Sequence, residues 1–210
     1  GVVVRALQWA DARMRKSTTT IGLAAALTLI SIGLGYVLLG LIPMLLFAFG
    51  FLGGFIVWLL VRATPGFAAI RVPYFLTLGF FIVHKLEERF MLFFPRLSDI
   101  THVPVPETNS FLVYGLYACA AAWLLIPHLV ERGYAFGYYL AWTFFTSMGV
   151  TELAHFAFPL LEAGPYGYFP GMASVVLLAP AAWWGMARLS PDLPARVGGS
   201  AAPVYPSRKQ

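Results

Sequence analysis

The stretch Phe80-Phe81-Ile82-Val83-His84-Lys85-Leu86-Glu87-Glu88-Arg89-Phe90 places five ionisable side chains at the end of an otherwise apolar run near 70–92. Roughly 20 apolar residues cover the hydrocarbon core of a bilayer, so this run reads as a membrane span. An ionisable side chain costs roughly 2.5–3.5 kcal/mol at the centre of an inserted helix, so a cluster of them marks a function. A second cluster, Glu152-Leu153-Ala154-His155, sits in the apolar stretch 134–160.

Composition supports the same class. Of the 210 residues 60% are hydrophobic and 11% charged, and mean hydropathy is +0.77, far from the values of soluble domains. Six runs have spanning length, near 18–40, 41–62, 70–92, 110–130, 134–160 and 169–188. The expected fold is therefore an all-α polytopic membrane protein, one six-transmembrane-helix bundle over 18–188. A basic tail (1–17) precedes it and a flexible tail (189–210), rich in Pro, Gly, Ala and Ser, follows. The first run is too long for a signal h-region and leads straight into the second, which predicts a retained anchor.

Lysine and arginine placement orients the bundle. With the N-terminus inside, eleven of the fourteen basic residues fall on the cytoplasmic side, against Arg96 alone in an outer loop. Both termini are expected in the cytoplasm, in a membrane of the bacterial inner-membrane kind. The +5 net charge reflects this asymmetry and some attraction to anionic lipid, and nucleic acid is not an expected partner. The outer loop 93–109 contains Pro95, Pro104 and Pro106, which argues against a continuous helix there. Cys119 is the sole cysteine, so no internal disulfide or cysteine-based metal site is available.

Residues three and four apart share a helix face, so His84 lies beside Glu87 and Glu88, and Glu152 beside His155. Spans three and five run in the same direction, which lets the two patches meet. Meeting is what physics requires, because a carboxylate in hydrocarbon must be neutralised, paired or metal-bound. His84, Glu87, Glu88, Glu152 and His155 are the candidate site, and three chemistries suit it. One is structural pairing with Lys85 and Arg89. Another is a metal centre, since i, i+3 His and Glu pairs bring ligands to zinc or to paired iron in helical bundles. The third is metal-free proton transfer by a buried carboxyl and its imidazole neighbour.

The residues His84-Lys85-Leu86-Glu87-Glu88 carry the His-x-x-Glu-Glu signature, and the chain in this respect resembles the HXXEE-domain family of membrane proteins. Thr151-Glu152-Leu153-Ala154-His155-Phe156 and Tyr168-Phe169-Pro170-Gly171 look like that family's second His segment and its Pro-Gly segment. The resemblance implies a site and names no reaction. His84-x-x-x-Glu88, followed by Phe90 and Phe93, is also similar to the emopamil-binding sterol isomerases of the EXPERA group, in which a membrane-buried His and Glu shift a double bond. That likeness implies Glu88 as acid, His84 as its partner and Glu152 as counter-ion, with Trp142 or Trp183 adding cation–π support.

The leading expectation is an acid–base isomerase or cyclase acting on an apolar lipid or isoprenoid without a cofactor. A metal-dependent membrane enzyme with zinc or iron on the same five residues is the alternative, and an ion-coupled transporter or accessory subunit of a larger complex is the third. His102 is expected as a solvated loop residue and His128 as an interfacial helix end.

Overall fold

The computed structural model describes residues 16–190, so nearly all of both expected tails lies outside the described residues. Within them all regular secondary structure is helical, with no strand. The elements are α1 (Thr18–Leu39), α2 (Leu41–Leu60), α3 (Phe67–Phe90), α4 (Phe93–Thr101), α5 (Phe111–Glu131), α6 (Ala135–Gly149) and α7 (Met172–Leu189). Two 3-10 segments, Thr151–Phe156 and Phe158–Leu161, lie between α6 and α7.

Helices α1, α2, α3, α5 and α7 are long and apolar enough to cross a membrane. They expose a broad belt of large apolar side chains, among them Leu29, Leu60, Leu76, Leu124 and Leu177. Such a belt would drive aggregation in water and is the expected surface toward lipid. Helix ends in that setting must satisfy their own backbone groups. At the end of α2 the Lys16 ammonium does so, donating to the carbonyls of Trp58, Leu59 and Val61 at 2.5, 3.1 and 2.9 Å. This also fixes the start of α1 beside the end of α2.

Lipid tails are as apolar as leucine, so helices associate through close backbone approach and hydrogen bonds. The centre of the bundle is α6, buried at every position but Phe136. A Cβ on Gly54 of α2 would sit 2.6 Å from Thr143 Cα, and one on Gly185 of α7 would sit 2.5 Å from Phe145 Cδ1. These two glycines let α2 and α7 lie directly on α6. Buried hydroxyls then tie neighbours together: Thr28 and Tyr139 share a 2.9 Å hydrogen bond, and Trp123 Nε1 donates to Thr143 Oγ1 at 3.2 Å.

One expectation is corrected here. The run 134–160 is not a single helix of spanning length. α6 stops at Gly149, level with Trp183 in α7, whose indole N–H donates to the freed Gly149 carbonyl at 2.7 Å. The chain then continues as 3-10 turns to the level of Pro170, with Thr151 Oγ1 donating to Leu46 O at 3.0 Å. Irregular backbone at this depth is tolerated because protein surrounds it and supplies its partners. Five long helices and one interrupted segment thus stand where six continuous spans were expected.

The stretch 93–109 is, as expected, not one continuous helix, since residues 102–109 are not helical. Residues Phe93–Thr101 form α4, bounded by Leu92 and His102, both in left-handed conformation at φ 58° and 56°. Pro95 occupies the first turn of α4, where a missing N–H leaves no hydrogen bond unmade. Phe93 and Leu97 of α4 pack with Leu38, Leu39, Val113, Phe158 and Phe169, closing the end of the bundle where α3 finishes and α7 begins.

Candidate functional site

His84 and Glu88 lie one turn apart on α3 and both are buried, so their shared face points into the bundle. His84 is six residues from the end of α3, about 9 Å along the axis. Glu152 and His155 come from the first 3-10 segment, where residues i and i+3 eclipse one another. The helix break at Gly149 therefore aligns Glu152 and His155 side by side.

The four side chains converge. His84 Nε2 lies 3.2 Å from both Glu88 Oε1 and Glu152 Oε2, and His155 Nε2 lies 3.2 Å from Glu152 Oε2 and 3.5 Å from Glu88 Oε1. One donor atom from each residue falls within 4.8 Å of all the others, a group able to hold a metal ion. Adjacent donors on a cation with bonds of about 2.0–2.2 Å sit roughly 2.8–3.6 Å apart, which matches the four His–Glu distances. The imidazoles meet edge to face with ring centres 4.7 Å apart.

The outer nitrogens decide what the inner ones carry. His155 Nδ1 is 2.5 Å from the Pro170 carbonyl, which only accepts, so Nδ1 bears the proton. His84 Nδ1 is 2.9 Å from Ser174 Oγ, whose own hydrogen goes to the Gly171 carbonyl at 3.2 Å, so His84 Nδ1 donates as well. A neutral ring held in this way carries a lone pair on Nε2, and a protonated one donates from Nε2 to the Glu152 carboxylate 3.2 Å away. With both rings neutral, two lone pairs and two carboxylate oxygens face one point.

The carboxylates' remaining oxygens are also held. Lys85 Nζ donates to Glu88 Oε2 at 2.7 Å and lies 3.9 Å from Glu152 Oε1. With two carboxylates, one ammonium and neutral rings, the cluster lacks one positive charge. A single shared proton would restore neutrality but could satisfy only one of the two imidazoles. A second proton would satisfy both rings and bring the net charge to +1, the same charge that a divalent cation would leave. A divalent cation would meet the two Nε2 atoms and the two carboxylate oxygens at once.

The walls are apolar. Phe93 of α4 lies 5.1 Å from the His155 ring and Phe158 lies 5.7 Å away, with Phe169 behind them. Arg96 fastens this wall, forming a bidentate pair with Glu162 through Nε to Oε1 at 3.0 Å and Nη2 to Oε2 at 2.5 Å, and donating from Nη1 to Tyr168 O at 2.8 Å. Its guanidinium covers the Phe169 ring at 4.9 Å. Exposure of the cluster is one-sided. The side chains of His84 and His155 are 0% and 3% exposed, while those of Glu152 and Lys85 are 13% and 46% exposed.

Four of the five candidates from the sequence thus come together: His84, Glu88, Glu152 and His155. Glu87 turns away from them. Its Oε1 accepts from the Gly171 and Ala173 N–H groups at 3.0 and 3.1 Å and from the Tyr168 hydroxyl, and its Oε2 accepts from the Ser174 N–H at 2.8 Å. Partial burial, with the Glu87 carboxylate beside it, pushes the Tyr168 phenol up to about 12, so it remains a donor at neutral pH. His102 and His128 stand outside the cluster. Sequence reasoning missed Ser174, whose role needs α7 laid against α3, and gave the Pro170 carbonyl no part.

The class that fold and site define is an all-helical bundle of membrane-type helices with a buried cluster of two histidines and two glutamates. No family model, curated protein or solved structure matches the chain.

Proposed function

We propose that this chain is an integral membrane metalloenzyme that holds one divalent cation on His84 Nε2, Glu88 Oε1, Glu152 Oε2 and His155 Nε2. The observation that carries this reading is the convergence of one donor atom from each of four buried residues within 4.8 Å, with the far nitrogens of both imidazoles held by Ser174 Oγ and the Pro170 carbonyl. Outer hydrogen bonds from ligating histidines to a carbonyl or hydroxyl, and to the far oxygens of ligating carboxylates, are the usual support of a metal site. Three of the four candidate ligands have them here, and the far oxygen of Glu152 lies 3.9 Å from the Lys85 ammonium.

Imidazole with carboxylate suits zinc or ferrous iron. A paired-iron site of the bundle type draws on additional glutamates, and this cluster offers two carboxylates, which favours a single ion. When bound, the cation would polarise a carbonyl or phosphoryl oxygen of the substrate or activate water. Lys85 and Glu152, the most exposed members, mark the side from which a substrate approaches. With lipid around the bundle, that substrate is an apolar amphiphile arriving from the bilayer. With both termini in the cytoplasm, the site faces the outer half of the membrane. The HXXEE resemblance falls on the same cluster and adds no reaction.

Metal-free acid–base catalysis by Glu88 is less well supported. Glu88 Oε2 is taken by Lys85 and Oε1 faces both imidazoles, so neither oxygen is aimed at a substrate. A thermal melt with and without 1,10-phenanthroline separates the two readings. A ligand at a hundred times its Kd stabilises by about 2.7 kcal/mol, so the chelator should lower the wild-type melting temperature by several degrees and leave His155→Ala unmoved. A wild type blind to the chelator would count against the metal.

A further inference from the structure

The N-terminus of α7 supplies more than a helix start. It carries the Pro170 carbonyl that fixes His155 and the Ser174 hydroxyl that fixes His84. Gly171 between them packs against both rings. What holds this turn in place is a single carboxylate from α3, which gathers three of its backbone N–H groups and the Tyr168 hydroxyl. We infer that Glu87 is a positioning residue, a carboxylate outside the donor set that clamps the Tyr168–Ser174 turn to α3 and so orients both histidines of the site.

The inference rests on the metal reading for its main readout. A carboxylate at a helix N-terminus is commonly a cap and no more. Here the capped residues are the same ones that carry the histidine partners. Ser174 is the hinge of the argument: its N–H goes to Glu87 Oε2 at 2.8 Å and its Oγ to His84 Nδ1 at 2.9 Å. Because Glu87 and His84 share α3, the turn and the imidazole are referenced to one rigid helix. Loosening the clamp frees the Pro170 carbonyl and the Ser174 hydroxyl to drift, and each ring then loses the partner that holds its Nδ1.

Replacing Glu87 by Gln keeps the shape and exchanges one acceptor oxygen for an NH₂ group, which cannot receive the N–H bonds. Partners of this kind are worth 10–100-fold in metal affinity. The test is a cobalt(II) titration of the purified full chain in detergent, followed by the visible d–d spectrum and by thermal melting. Glu87→Gln should bind cobalt about 10–100-fold more weakly, with a displaced spectrum. Ser174→Ala should shift the spectrum in the same direction, and the double variant should show less than the sum. Should Glu87→Gln fail to fold, Tyr168→Phe, which removes one bond of the clamp, must produce a smaller shift of the same kind.

A Glu87→Gln protein that melts lower yet binds cobalt with wild-type affinity and spectrum would reduce Glu87 to a helix cap and overturn the inference. Wild-type protein that binds no cobalt would overturn the metal reading instead. The clamp is then read from the ¹⁵N signals of labelled histidine, where loss of the Nδ1-protonated tautomers in Glu87→Gln supports it and unchanged signals refute it.

Discussion

The Gly171→Ala variant should lose bound divalent metal and melt well below the wild type. Gly171 has φ 99°, a conformation that L side chains rarely adopt, and holding a non-glycine residue in such a region costs on the order of 1–3 kcal/mol. Space is the larger obstacle. The new Cβ would lie 2.5 Å from His155 Cε1 and 2.8 Å from His84 Cε1. Retreat of either ring would break its Nδ1 contact with the Pro170 carbonyl or Ser174 Oγ, and His155 also packs against Phe93. Overpacking of this kind adds about 1–3 kcal/mol. At roughly 2–4 °C per kcal/mol for a chain of this size, the melting temperature should fall by about 5–20 °C. Metal retained at wild-type affinity in Gly171→Ala would mean that the rings are not where this account puts them. Gly22 is a control: nothing lies within 4 Å of a Cβ there, so Gly22→Ala should leave metal binding intact.

The second large effect is one of sign. If Glu88 were a buried acid poised to give up a proton, Glu88→Gln would remove an awkward charge and leave stability unchanged or higher. If Glu88 is a metal ligand and the partner of Lys85, as proposed, the opposite is expected. Glu88→Gln takes one donor from the cation and leaves the Lys85 ammonium without its 2.7 Å contact. Breaking a buried ion pair by removing one partner costs about 3–5 kcal/mol. Half-exposure of Lys85 reduces that figure, so a loss of about 2 kcal/mol with at least a hundredfold weaker metal binding is expected. Isothermal titration with zinc and a melt of the same sample read both quantities. A Glu88→Gln protein that melts above the wild type would return the site to proton transfer.

The parts of this site that follow from helical periodicity were legible in the chain. His84 and Glu88 are separated by one turn, and their burial follows from a stripe that also includes Thr77. Glu152 and His155 were legible as a pair but not as a 3-10 pair. Val150 and Thr151 continue the apolar run past Gly149, so nothing local announces that the helix stops. The stop is set by α7, whose Trp183 offers an N–H to the carbonyl that the break exposes.

The two adjacent glutamates show the limit most clearly. Successive residues on a helix point about 100° apart, so Glu87 and Glu88 cannot both face the histidines. Which of them does depends on where α7 lies, and that is a fact about three elements at once. Ser174 and the Pro170 carbonyl were hidden for the same reason. Ordinary residue types acquire a role when packing brings them to the back of an imidazole. For the prolines of 93–109 position mattered as well as count: Pro95 falls in the first turn of α4, where a helix accepts it, and Pro104 and Pro106 fall in the non-helical stretch after Thr101.

The most direct test of the central claim is elemental analysis of the purified full chain after exposure to zinc and ferrous iron and removal of loosely held ions. The account predicts about one first-row divalent ion per chain in the wild type, and none in the His84→Ala/His155→Ala double variant that still elutes as a folded species. A folded wild type with no stoichiometric metal, or a double variant that keeps as much as the wild type, would contradict it.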